Sequence, residues 1–180
     1  MSTANLTALQ YPIGKFKFDD NIDSEKRNNF ILEIESTPAK LRQAVKGLTD
    51  KQLDTQYRPD GWTVRQVVHH IPDSHLNAYV RMKLALTQEE PTICAYDEKE
   101  WAKLNDVFHT PIEVSLNLLE SLHKRWIVLL KSLNENDCKR KFNHPEAGIR
   151  TVDWLIALYA WHGNHHIAHI TSLRERMGWG

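Results

Sequence analysis

Apolar residues in this chain recur at spacings of three and four, and strand-like alternation is nearly absent. Over "DSEKRNNFILEIESTPAKLRQAVKGL" the spacing predicts a helix with Ser24 as its N-cap. Pro38 either kinks this helix or restarts it with Thr37 as a new cap. "TDKQLD" reads as a short helix opened by Thr49, and "RPDG" as a turn. Thr63 caps "VRQVVHHIPDSHLNAYVRMKLAL", which Pro72 interrupts, and "DEKEWAKL" is a further short helix. Thr110 as cap and Pro111 at the first helical position open "TPIEVSLNLLESLHKRWIVLLKSL". Thr151 opens a last helix that runs to Met177. Pro12 and Gly14 break any pattern at the start, so residues 1–21 read as an irregular arm packing on the body or on a partner subunit. Four long helices with short connectors predict an all-α fold: an antiparallel four-helix bundle with short extra helices, one domain over residues 1–180.

The last helix carries "WHGNHHIAHI", Trp161 to Ile170, with four histidines among ten residues. A helix turns by about 100° per residue, which puts His162 and His166 on the apolar face with Leu155, Tyr159 and Ile170. His169 falls at the margin of that face and His165 further out. A bundle helix fills such a seam with apolar side chains. Buried imidazoles need hydrogen-bond partners, a wet cavity or a metal. His162 and His166, one turn apart, can hold one ion together; equally, they can form a hydrogen-bonded polar seam. A third histidine from another helix favours metal, and His69, His70 and His75 are the candidates. By helix angle His75 lies on the apolar face, while His70 falls about 120° from Val64, off it. A kink at Pro72 would reset that phase.

Charge narrows the choice of partners. Lysine plus arginine (23) balances aspartate plus glutamate (23), and no basic stripe studded with aromatics is present. Nucleic acid is therefore disfavoured as a partner. No run approaches the roughly 18 apolar residues of a membrane helix, and the N-terminus lacks a secretory pattern. Cys94 and Cys138 form neither a disulfide framework nor a CxxC pair, which suits free thiols in a reducing cytosol. The expectation is a soluble, cytoplasmic protein acting on a small molecule.

Four blocks, "GWTVRQVVHHIPDSHLNAYVRMKLALT", "YDEKEW", "LHKRW" and "YAWHGNHHIAHITSLRERMGW", strongly resemble the YfiT family of metal-dependent hydrolases within the DinB-like superfamily. The resemblance runs from "YPIGKF" to the C-terminus. It implies a four-helix bundle with one divalent ion between helices, held by His70, His162 and His166, and a homodimer to which the N-terminal arm contributes. It also moves His75 from ligand to a residue behind the ligands or in the pocket. Zinc suits three imidazoles best, with nickel also suitable. Such an ion lowers the pKa of a bound water towards about 7, the basis of a hydrolase. The same open position suits a bacillithiol-like low-molecular-weight thiol, as in S-transferases of the wider superfamily. A metal-binding bundle without catalysis is the third reading.

Asp73, His75 and Tyr159 are the candidates for proton transfer beside the ion. Asp73 reads equally well as the cap of a helix restarted after Pro72, and Tyr159 as a core aromatic. His169 either supports a ligand or lines the cavity, and Asp153 is a first-turn helix acid. Arg65 is a candidate for holding an anionic substrate, against the plainer role of a surface ion pair. Trp161 points away from the apolar centre, towards another element or the rim of the site.

Overall fold

The structure is a computed structural model that describes the backbone of residues 3–180 and side chains from residue 6 onward. In chain order the elements are α1 (Thr3–Gln10), α2 (Ser24–Val45), α3 (Asp50–Leu53), α4 (Val64–Thr87), α5 (Glu98–Trp101), α6 (Asn105–His109), α7 (Ile112–Lys131), α8 (Glu135–Cys138), β1 (Lys141–His144), β2 (Gly148–Thr151) and α9 (Val152–Met177). Helices α2, α4, α7 and α9 form a four-helix bundle, with α2 packed on α9 and α7, and α4 on α7 and α9.

Caps decide where these helices begin. Asp23, rather than Ser24, caps α2: its carboxylate accepts from the Lys26 amide at 2.7 Å, where a negative charge also meets the positive end of the helix. Thr63 and Gln66 close a reciprocal capping box on α4, and Thr151 accepts from the Trp154 amide to start α9. Thr110 does not cap α7; Pro111 takes the cap position, and no side chain closes that end. Gly178, at φ 65°, ends α9 in the left-handed conformation that glycine adopts freely.

Neither internal proline breaks its helix. α2 runs through Pro38 and α4 through Pro72, so Thr37 is not a new cap and Asp73 caps nothing. Each proline costs one helical hydrogen bond, but the turns on both sides bury enough apolar surface to hold the helix together. Pro38 lacks the amide that would bond the Ile34 carbonyl, which leaves that oxygen for a side chain from α7. Thr37 is fully buried, donates to the Glu33 carbonyl at 2.9 Å, and lies against Gly163.

Two apolar clusters form the core. One gathers Ile34, Ala78, Met82, Trp126, Phe142 and Ile156. The other gathers Leu41, Val67, Ile71, Leu119, Ile170 and Leu173. Between them a polar layer crosses the bundle: Thr37 on α2, His70 to His75 on α4, His123 on α7, and His162 to His166 on α9.

Three features depart from the sequence expectation. The arm is a helix, α1, before it becomes extended; no proline or glycine precedes Pro12 to prevent it, and the first two residues of the arm lie outside the described residues. Beyond α1 the arm crosses α9, where Trp161 donates to the Gly14 carbonyl at 3.2 Å and Phe16 meets Trp154 edge-on. Helices α6 and α8 are too short for periodicity to reveal. The β1–β2 hairpin has strands of only four residues, and it pairs with Thr92, which ties the α4–α7 connection to the bundle.

Candidate metal centre

The His162 Nε2 atom lies 3.3 Å from His70 Nε2. With His166 these rings offer three nitrogens within 4.8 Å of one another, beside a cavity of about 440 Å³. Helix α4 continues unbroken through Pro72, so it is the breadth of the buried surface of α4 that brings His70 into the site. That surface is wider than one apolar stripe: His75 faces inward between α7 and α9, while His70, Ser74 and Arg81 share a neighbouring stripe that lines the cavity. A helix wheel scored on apolar residues alone therefore favours His75 and overlooks His70.

A chain of hydrogen bonds sets the tautomer of His162. The Ile34 carbonyl left open by Pro38 can only accept, so His123 Nδ1 donates to it at 2.7 Å. In a neutral ring His123 Nε2 is then an acceptor, taken by His75 Nδ1–H at 2.8 Å. His75 Nε2 in turn accepts from His162 Nδ1–H at 3.2 Å. The bare lone pair of His162 is left on Nε2, aimed at His70. Burial keeps these rings neutral, pushing His123 down to about 4 and His75 and His162 well below their ordinary value.

The residues fit a divalent ion. Neutral imidazole is the ligating form, and burial lowers His70 to about 3 and holds His166 far below the ordinary range. Two nitrogens bound at about 2.0–2.1 Å to one ion stand roughly 3.0–3.4 Å apart, which matches the 3.3 Å between His70 and His162. Trp62 leans on His70, with ring centres 4.6 Å apart, and stacks parallel to His166.

Farther along α9, His165, His166 and His169 also bring ring nitrogens together. His165 is sandwiched between Trp161 and Tyr11. His169 stacks on Tyr57 and donates from Nε2 to the Gln10 carbonyl at 3.0 Å, so the arm closes over this end of the site. His169 thus lines the cavity and has no carboxylate partner among the described residues.

The other predicted residues fall in different places. Tyr159 lines the cavity; its hydroxyl lies 3.2 Å from Ser74 Oγ, which is 3.4 Å from His162 Nε2. Burial raises the Tyr159 pKa, so its proton stays in place. Asp73 lies inside α4 and does not line the cavity; burial raises it to about 6, with the charge of Asp106 adding to the effect. Arg65 binds Asp54 at 2.7 Å and Asp50 at 2.9 Å, pinning α3 to α4, and does not line the cavity. Sequence reasoning missed Ser74, His123, Tyr96 and Arg81. Ser74 and Arg81 follow His70 by four and eleven residues, a spacing that keeps all three on one face, and this was the available signal.

Residues 33–170 match the family description of the DinB superfamily. The chain belongs to the DinB superfamily. The span matched to it takes in every histidine of the polar layer. A protein of Oceanobacillus iheyensis named "Putative metal-dependent hydrolase" is 55% identical over 170 residues, 94% of this chain and 98% of that one. A Bacillus cereus protein of the same name is 56% identical over 171 residues, 95% of this chain and 98% of its own length. Among solved structures, YfiT from Bacillus subtilis, described as a probable metal-dependent hydrolase with an unusual four-helix bundle topology, superposes with a TM-score of 0.94. It shares 51% identity, over 96% of this chain and 99% of its own. The DinB-superfamily bundle is thus the architecture of this chain, and no helix among its described residues is long and apolar enough to cross a membrane.

Proposed function

We propose that this chain is a metal-dependent hydrolase of a small molecule, with one divalent ion, zinc in the first instance, held by His70, His162 and His166. The observation that carries the reading is the hydrogen-bond chain from Ile34 to His162, which leaves one imidazole lone pair directed at a second imidazole beside an open cavity. When bound, a divalent ion supplies Lewis acidity and lowers the pKa of coordinated water.

The chain's own residues do the rest. His75 and His123 hold the His162 ring in orientation; both nitrogens of each are engaged, so His75 positions a ligand and does not exchange protons with substrate. Ser74 and Tyr159 form the hydroxyl pair nearest His162. Tyr159, kept protonated by burial, donates a hydrogen bond towards oxygen that gains charge during attack or departure. Trp62 and Tyr57 wall the cavity with aromatic surface.

Elemental analysis of untagged protein tests the reading, together with a panel of ester, amide and phosphoester substrates. About one ion per chain, lost in a His162→Ala/His166→Ala double variant that still folds, with turnover that follows metal content, is the expected result. Wild-type protein that stays metal-free after incubation with zinc, nickel and manganese would overturn it. Turnover that requires an added low-molecular-weight thiol would replace hydrolysis with S-transfer at the same centre.

A further inference from the structure

Arg81 lacks the carboxylate partners that Arg27, the other buried arginine among the described residues, has. Taking a guanidinium out of water is costly unless an anion compensates it. Arg27, 7% exposed, is held by Asp153 at 2.7 Å and by Glu135 at 2.6 Å. Arg65 is held by Asp54 and Asp50. Arg81 is 8% exposed, yet it forms no ion pair among the described residues. Its Nη2 donates to the Cys94 carbonyl at 2.9 Å, its guanidinium sits over the Tyr96 ring, and it faces the Tyr159 hydroxyl; its Nε is buried without a partner.

The position of this charge gives it meaning. Arg81 lines the histidine cavity on the same face of α4 as His70 and Ser74. From there the polar contacts run through Tyr159 and Ser74 to His162. The acids that border the cavity, Asp60, Glu98 and Glu146, are exposed at its mouth and reach no ion pair with it. Arg58, which also lines the cavity, has no carboxylate partner among the described residues either and donates to the Pro59 carbonyl.

We infer that the cavity binds an anionic substrate, through a carboxylate or phosphoryl oxyanion held by Arg81 while the bond to be broken lies at the histidine centre. The guanidinium fork suits two oxygens of such a group, and an arriving anion supplies the countercharge that the fold withholds. The idea rests on the hydrolase reading only for the word substrate, because anion binding to the metal-free protein can be measured without any turnover.

The test is titration calorimetry on metal-free wild type with phenylphosphonate and benzoate, against benzamide as the neutral probe. The anions are expected to bind and benzamide to bind at least about tenfold more weakly. Arg81→Met should weaken anion binding by roughly 10- to 100-fold while keeping or raising the melting temperature, since it removes an uncompensated buried charge. Arg65→Met should leave anion affinity unchanged. Arg81→Lys keeps the charge without the fork, and its intermediate affinity serves if the Met variant fails to fold. Equal binding of benzamide and the anions, or anion affinity unchanged in Arg81→Met or Arg81→Lys, would overturn the inference. So would an Arg81→Met variant that folds but melts far lower, because the arginine would then be structural. Arg81-dependent anion binding in a protein that never turns over substrate would uphold it while the hydrolase reading fails.

Discussion

His162 shows how much of this site is settled by a proton on one atom. Its Nε2 can serve a metal only if Nδ1 carries the hydrogen, and His75 holds it there by accepting at 3.2 Å. His75 can accept on Nε2 because His123 accepts from its other nitrogen, and His123 is oriented by a carbonyl that Pro38 left unbonded. A residue that touches no ion is therefore expected to govern metal affinity. His75→Ala should weaken zinc binding by about 10- to 100-fold, read by competition with a chromophoric chelator. Retention of full affinity would show that His162 needs no such support.

At the scale of elements, the site depends on how closely α2 and α9 approach. A Cβ built on Gly163 would lie 2.8 Å from both Oγ1 and Cγ2 of Thr37, closer than carbon tolerates. Glycine there is a packing requirement of the turn between His162 and His166, since its backbone is ordinary helix. Gly163→Ala should destabilise the fold by about 1–3 kcal/mol in chemical denaturation, as overpacking of a filled core does. Adding Thr37→Ala should recover part of that loss, because it removes both atoms that the new methyl would meet. If the double variant is no more stable than the single one, the contact is not the cause.

Across the whole molecule, a layer of neutral histidines lies between two apolar clusters, which makes the fold acid-sensitive. Burial lowers His70 and His165 to about 3, His123 and His169 to about 4, and His75, His162 and His166 well below 6.5. A histidine whose folded pKa is depressed leaves stability intact above its unfolded value. Below that value the unfolded chain takes up protons that the native chain refuses, at about 1.4 kcal/mol per ring per pH unit. Asp73 acts in the opposite direction: raised to about 6, it favours the fold below its unfolded value and loses that contribution as pH rises through 6. One carboxylate cannot offset seven rings. The melting temperature of metal-free protein should fall steeply from pH 7 to pH 5 and continue falling towards pH 4. A flat profile over that range would mean the rings are not held neutral.

Much was legible from the chain alone, and the physical reason differs from case to case. The four long helices follow from periodicity, since each buries an apolar stripe whose spacing is written locally. The pairing of His162 with His166 follows from one turn of helix. Capping by Thr63 and Thr151 was equally local, whereas choosing Asp23 over Ser24 depended on which side chain met the first free amides. The hairpin, α6 and α8 were too short to leave a periodic trace, and the arm's first helix carried no strong start signal.

The sequence by itself determined the bundle, the inward histidines of α9 and the absence of a charge pattern for nucleic acid, because each is a property of one helix or of composition. Only the tertiary structure decided that α4 continues unbroken through Pro72 and brings His70 to 3.3 Å from His162. It also decided that Arg65 is neutralised by Asp50 and Asp54 while Arg81 lines the cavity with no ion-pair partner among the described residues. Residue type tells that an arginine is charged, but its compensation depends on which carboxylates the fold brings within reach.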